Sequence, residues 1–198
     1  VLQGGQTMNP SAEDFLRAID TIHNECIVLL PNNKNIIMSA KQAASLARDR
    51  RVKVVSSKTI PQGVNAMLAY LDTHDSDDLD DIAEAMQNNI HRVTTLEVTQ
   101  ATRDALMDDD LDVKEGQYIG LLNGEIVIVA DSAADTVKHL LDKARADEHE
   151  LITLYYGDDV DETQAQALVS TLESTYADQE VALLAGGQPL YPYIISVE

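Results

Sequence analysis

Apolar residues recur along the first seventy positions with a helical period, broken by two short unbroken runs. Ser11 caps the first helical stretch, with Asp14 at the capping-box position and Phe15, Leu16, Ile19 and Ile22 on one face. Cys26-Ile27-Val28-Leu29-Leu30 is a continuous apolar run, the mark of a strand buried on both faces, and it predicts a buried thiol at Cys26. Residues 31–35 read as a strand-to-helix turn. The next helix carries Ile36, Ile37, Ala40, Ala43, Ala44 and Ala47 on one side. Val52-Lys53-Val54-Val55 is a second short strand, running through Ser56-Ser57-Lys58-Thr59-Ile60 to Pro61, which suits a first helical position. Val64, Met67, Leu68 and Leu71 then mark a third helix. This β-α-β-α order predicts a parallel sheet with right-handed crossovers.

Beyond residue 71 the rhythm changes. Asp72-Thr73-His74-Asp75-Ser76 interrupts the pattern, and Ser76 or Asp77 starts a helix along Leu79, Ile82, Met86 and Ile90 that bridges two units. Residues 93–99 alternate as a strand, and a polar stretch surrounds Asp108, Asp109 and Asp110. Asn123-Gly124, flanked by residues 118–122 and 125–129, is a strong hairpin signal. Ser132 opens a helix with Val137, Leu140, Leu141 and Ala144 inward. Residues 151–156 follow as a strand, 161–176 as a helix, and 181–184 and 193–197 as strands. The expected fold class is α/β in two parts. Residues 1–90 form a parallel α/β subdomain with the bridging helix, and residues 91–198 a mixed or antiparallel sheet covered by helices.

One motif occurs twice. Gly4-Gly5-Gln6-Thr7-Met8-Asn9-Pro10 returns as Gly186-Gly187-Gln188-Pro189-Leu190-Tyr191-Pro192, both G-G-Q-x-x-x-P. Paired glycines permit positive φ and close approach of other groups, while proline fixes φ and ends regular pairing. The repeat fits two α/β units with one glycine-rich loop each, and equally two unrelated strand-ending turns.

Composition narrows the function. The chain has 198 residues, 44% of them hydrophobic, and no apolar run near the ~20 residues of a membrane span. No basic region followed by an apolar core opens it, so no signal peptide is visible. Its start on Val1-Leu2-Gln3 reads as the tail of a strand in a longer protein. A lone cysteine fits a reducing cytoplasm. Charge is unevenly placed: residues 1–71 carry a net of +3 and residues 72–198 a net of −23, for −20 in all. Such a polyanion repels nucleic acid and anionic membranes and attracts basic partners. Solubility alone would also explain it.

The chemistry-bearing candidates are few. Residues 4–9, 31–35 and 56–63 each lie after a strand and before a helix, where open parallel sheets gather ligands. They carry Thr7, Asn32, Asn33, Lys34, Lys58 and Thr59, which could receive a phosphate or carboxylate at helix N-termini. The same residues also fit plain helix capping with solvated lysines. No P-loop, G-x-G-x-x-G, H-E-x-x-H or nucleophile elbow is present, and the five histidines are scattered without metal-ligand spacing. The cluster Asp108-Asp109-Asp110 with Asp112 lacks the glycine and distal glutamate of an EF-hand, so no metal site is expected. These residues describe a binding module rather than an enzyme.

Five stretches together resemble a known family: residues 4–11, 30–36 and 58–63, Tyr155-Tyr156-Gly157-Asp158, and Gly186-Gly187-Gln188-Pro189 with the tyrosine-rich ending. In this order and spacing they look like the C-terminal region of bacterial fatty acid kinase A subunits, the dihydroxyacetone-kinase-like proteins with a DAK phosphatase-type domain. The resemblance spans essentially the whole chain. It implies two subdomains of DegV (EDD) type, a Rossmann-like parallel α/β unit and then a mixed sheet. It also implies that ATP and magnesium are held by an N-terminal domain absent here, so that this chain holds no cofactor. Phosphoryl transfer and dimer contacts are assigned to a middle domain, likewise absent, and no catalytic residue carries over. The implied role is docking of a DegV-type fatty-acid-binding protein through an acidic surface, so that acyl-phosphate can be made for phospholipid synthesis. The alternative is a small-molecule or fatty-acid-binding module with a pocket between the subdomains. Candidate docking carboxylates are Asp77, Asp78, Asp81 and Glu84 on the bridging helix, and Asp108, Asp109, Asp110, Asp158 and Asp159. In the fatty-acid-binding relatives a Thr/Ser-Gln-Pro loop holds the lipid carboxylate; here Gly4-Gly5 stand where small hydroxyl residues are expected.

Overall fold

A computed structural model describes residues 1–2, 4, 9–73, 78–106 and 112–198, which divide into two compact units, residues 1–93 and 94–198. In the first unit α1 (Ala12–Asp20) begins with a full capping box. The Ser11 hydroxyl accepts from the Asp14 amide, and the Asp14 carboxylate accepts from the Ser11 amide and hydroxyl. Those bonds hold the Asp14 carboxyl below the usual carboxylate range. Strand β1 (Cys26–Leu29) pairs in parallel with β2 (Arg51–Val54), Ile27 opposite Val52 and Leu29 opposite Val54. Between them lie a 3-10 turn (Lys34–Ile36) capped by the Asn33 side chain and α2 (Ile37–Leu46).

The two-stranded ribbon is covered on both faces, because alternate residues point to opposite sides. On one side Phe15, Ile19, Ile27, Ile36, Ala40 and Ala43 form a cluster with Leu29, Val52 and Val54. On the other, Val55, Ala66, Ile82, Met86 and Ile90 pack with Val28 and Leu30. The second cluster is supplied by α3 (Ile60–Thr73) and α4 (Leu79–Asn89), which pack against each other. Cys26 departs from expectation. It sits at the first position of a short ribbon and is exposed rather than buried.

The second unit is a six-stranded sheet in the order β7-β6-β3-β10-β8-β9. Its strands are β3 (Thr94–Gln100), β6 (Tyr118–Leu122), β7 (Glu125–Ala130), β8 (Leu151–Tyr156), β9 (Glu180–Ala185) and β10 (Tyr193–Val197), all antiparallel to their neighbours except β8 with β9. A small ladder of β4 (Ala105–Leu106) and β5 (Asp112–Val113) stands apart. The β6–β7 hairpin turns through Asn123 and Gly124 at φ 52° and 85°, the left-handed pair an N-G turn supplies. Helices α5 (Ala133–Lys143) and α6 (Glu162–Thr175) pack on the sheet, and Leu96, Val98, Val137, Leu140, Leu141, Ile152, Leu154 and Ile195 are all essentially inaccessible in its core. Gly120 is needed there, since a Cβ would stand 2.9 Å from side-chain atoms of Thr136 and Leu140. The two helices are joined where the Tyr176 hydroxyl donates to Asp142 at 3.0 Å, and burial first, then that carboxylate, push the phenol well above its usual range. Among the described residues no helix is long and apolar enough to cross a membrane.

Candidate functional site

The ends of β1 and β2 carry two of the loops that the sequence places on one edge, and they meet. Asn32 follows Pro31 in a left-handed conformation at φ 55°, which asparagine tolerates better than most residues. Its amide donates to the Ser57 hydroxyl at 3.1 Å, and that hydroxyl donates to Asn32 Oδ1 at 2.7 Å. Ser57 is fully buried. The Asn32 carboxamide lies over the first turn of α3, in the space a side chain at Gly63 would need.

The helix start behind it is also occupied. Thr59 Oγ1 accepts from the Gln62 amide at 3.3 Å, and Gln62 Oε1 accepts from the Lys58 amide at 2.8 Å, a variant of the capping box. From α4, Gln87 Oε1 accepts from the Ser56 amide at 2.8 Å, and the Asn89 side chain donates to the Asn65 carbonyl at 2.7 Å and to its side-chain oxygen. Asn33 is spent on the 3-10 turn, its Oδ1 accepting from the Asn35 amide at 2.9 Å. Lys34 and Lys58 are exposed. The structure thus brings Asn32, Lys58 and Thr59 to one edge but binds their neighbourhood with its own amides and hydroxyls. Thr7 lies outside the described residues, as do Gly5, Gln6 and Met8 of the first G-G-Q copy. A cleft of about 330 Å³ lies elsewhere, between α3 and α4, lined by Ala69, Asp72, Thr73, Ala85, Asn88, Asn89 and Arg92.

The second G-G-Q copy is a clamp over the end of β8. Gly186 and Gly187 amides both donate to the Tyr156 carbonyl, at 2.9 and 3.2 Å, and Gly187 is left-handed at φ 63°. The Gln188 side-chain amide donates to the carbonyls of Tyr155 (2.9 Å) and Tyr191 (3.1 Å). Gly157 is held against this loop, its amide donating to the Pro192 carbonyl at 2.9 Å. A Cβ there would stand 2.7 Å from the Gln188 carbonyl oxygen. Leu190 pays for the shape with φ 69° and leaves its side chain 58% exposed. Burial raises the Tyr155 hydroxyl above its usual range.

The acidic candidates fall in two groups. Asp78 caps α4, its Oδ1 accepting from the Asp80 amide at 2.8 Å, and Asp78, Asp81 and Glu84 are exposed at three-residue spacing. Asp80 is paired with Lys53. Asp158 and Asp159 are exposed in the loop before α6, beside Asp161, whose carboxyl is held below its usual range by the Thr163 hydroxyl and amide. Asp77, Asp108, Asp109 and Asp110 lie outside the described residues. Divided by unit, the charge is −3 over residues 1–93 (nine Lys and Arg, twelve Asp and Glu) and −17 over 94–198 (five against 22). Among the described residues no three His, Cys, Asp or Glu gather where a metal ion could be held.

Two features go beyond what the sequence reveals: the Asn32 carboxamide over Gly63, and the outward direction of the apolar residues of α3. A glycine within a helical pattern signals a close approach, but which group approaches is not written locally.

All 198 residues match the FakA-like C-terminal family, the C-terminal part of fatty acid kinase A subunits and their like. Protein YloV of Bacillus subtilis (strain 168) is 39% identical over 202 residues, which span all of this chain and 35% of that protein. The chain therefore spans about a third of the length of such relatives. The fold resembles the Streptococcus pneumoniae fatty acid kinase (Fak) B3 protein loaded with linoleic acid, with a TM-score of 0.66, 17% identity, and 96% of this chain and 76% of that one covered. It also resembles a DegV family protein from Corynebacterium glutamicum, with a TM-score of 0.67, 16% identity, and 96% and 83% covered.

Proposed function

Because the chain belongs to the FakA-like C-terminal family, we propose that it is a non-catalytic docking domain of a fatty acid kinase. On this reading it receives a DegV-type fatty-acid-binding protein through an acidic surface. The kinase and middle domains, in the part of the polypeptide outside this chain, then phosphorylate the carried fatty acid. ATP and magnesium belong to those domains, and no phosphoryl-transfer step is assigned to residues of this chain.

The observation that carries the reading is the closed edge of the first unit. A carrier-type fold has its strand-end loops bonded to themselves through Asn32, Ser57, Thr59 and Gln62, so the scaffold of a ligand carrier is kept while the Asn32, Lys58 and Gln62 amides and the Ser57 hydroxyl are committed internally. The excess of carboxylates supplies long-range attraction for a basic partner. The test is sedimentation of this chain with a fatty-acid-loaded DegV-type carrier at low and at high salt. A complex at low salt that weakens at high salt is expected, and no complex at low salt would sink the reading.

The likeness to a linoleate-loaded structure favours a second reading, that this chain itself holds a fatty acid. Native mass spectrometry with added linoleic acid decides it: a bound adduct supports carriage, and bare protein rejects it.

A further inference from the structure

We draw no further inference here: the strongest candidate, the outward face of α3 on which Ile60, Val64, Met67, Leu68 and Leu71 are between 42% and 59% exposed, carries nothing because nothing in the structure shows what covers it.

Discussion

Asn32 and Gly63 act as one feature although 31 positions separate them. A Cβ at residue 63 would occupy the place of the Asn32 carboxamide, which Ser57 fixes from behind. Gly63→Ala should therefore destabilise the chain by about 1–3 kcal/mol, the usual cost of forcing extra volume into packed space, despite alanine's better helix propensity. Asn32→Gly removes the obstacle and suits the left-handed backbone, so the double variant should recover most of the loss. A urea-unfolding double-mutant cycle measures the coupling, and additive effects would refute it. Leu190 gives the opposite sign. A leucine held at φ 69° is strained, and Leu190→Gly should raise stability by about 0.5–1 kcal/mol, after allowing for the extra freedom of an unfolded glycine. A higher urea midpoint at unchanged slope is the expected result, and a lower midpoint would show that the exposed side chain is held by contacts.

At the scale of elements, what is legible in the sequence is what local chemistry decides. Ser11 with Asp14, Ser132 with Asp135, and Asp161 before Thr163 each cap a helix through groups two or three residues away, so those starts can be read directly. Asn123-Gly124 likewise carries its own turn. The apolar period of Val64, Met67, Leu68 and Leu71 identifies a helix correctly and yet says nothing of which side faces the core. Periodicity reports a stripe; it does not report what covers it. The expectation of a buried Cys26 fails for a related reason. A run of apolar residues implies a strand covered along its length, but this ribbon has two strands and Cys26 is its first residue. The closed edge at Asn32 depends on a contact across the fold and leaves no local trace beyond a glycine in a helix.

The pairing of α5 with α6 carries a pH signature. Burial and the Asp142 carboxylate raise the Tyr176 phenol above its ordinary value near 10, so the folded chain keeps this proton where the unfolded chain has lost it. The stabilising effect of the neutral phenol is complete below pH 10 and declines as pH rises beyond it. The unfolding midpoint should fall above about pH 10, and Tyr176→Phe should fall less steeply there while starting lower at about pH 7 for want of the bond to Asp142. Equal alkaline slopes for the two proteins would assign the decline to other tyrosines, such as Tyr155 and Tyr193, which burial also raises.

For the molecule as a whole, the decisive quantity is its charge of −20, of which −17 belongs to residues 94–198. Charge at this density acts mainly on encounter, since exposed groups are screened within about 8 Å at physiological salt. Binding to a basic partner should therefore lose association rate steeply with salt, by at least about tenfold between about 50 and 500 mM, while dissociation changes little. Two charge-neutralised chains then tell which carboxylates face the partner. Asp81→Asn with Glu84→Gln removes charge from α4, and Asp158→Asn with Asp159→Asn removes the same amount in the other unit. The two pairs change net charge equally, so any general loss of steering is common to both. A salt dependence flattened by the first pair alone places the partner on α4. Equal flattening would mean that the carboxylates act only as a diffuse field, and flattening by the second pair alone would move the interface to the loop before α6.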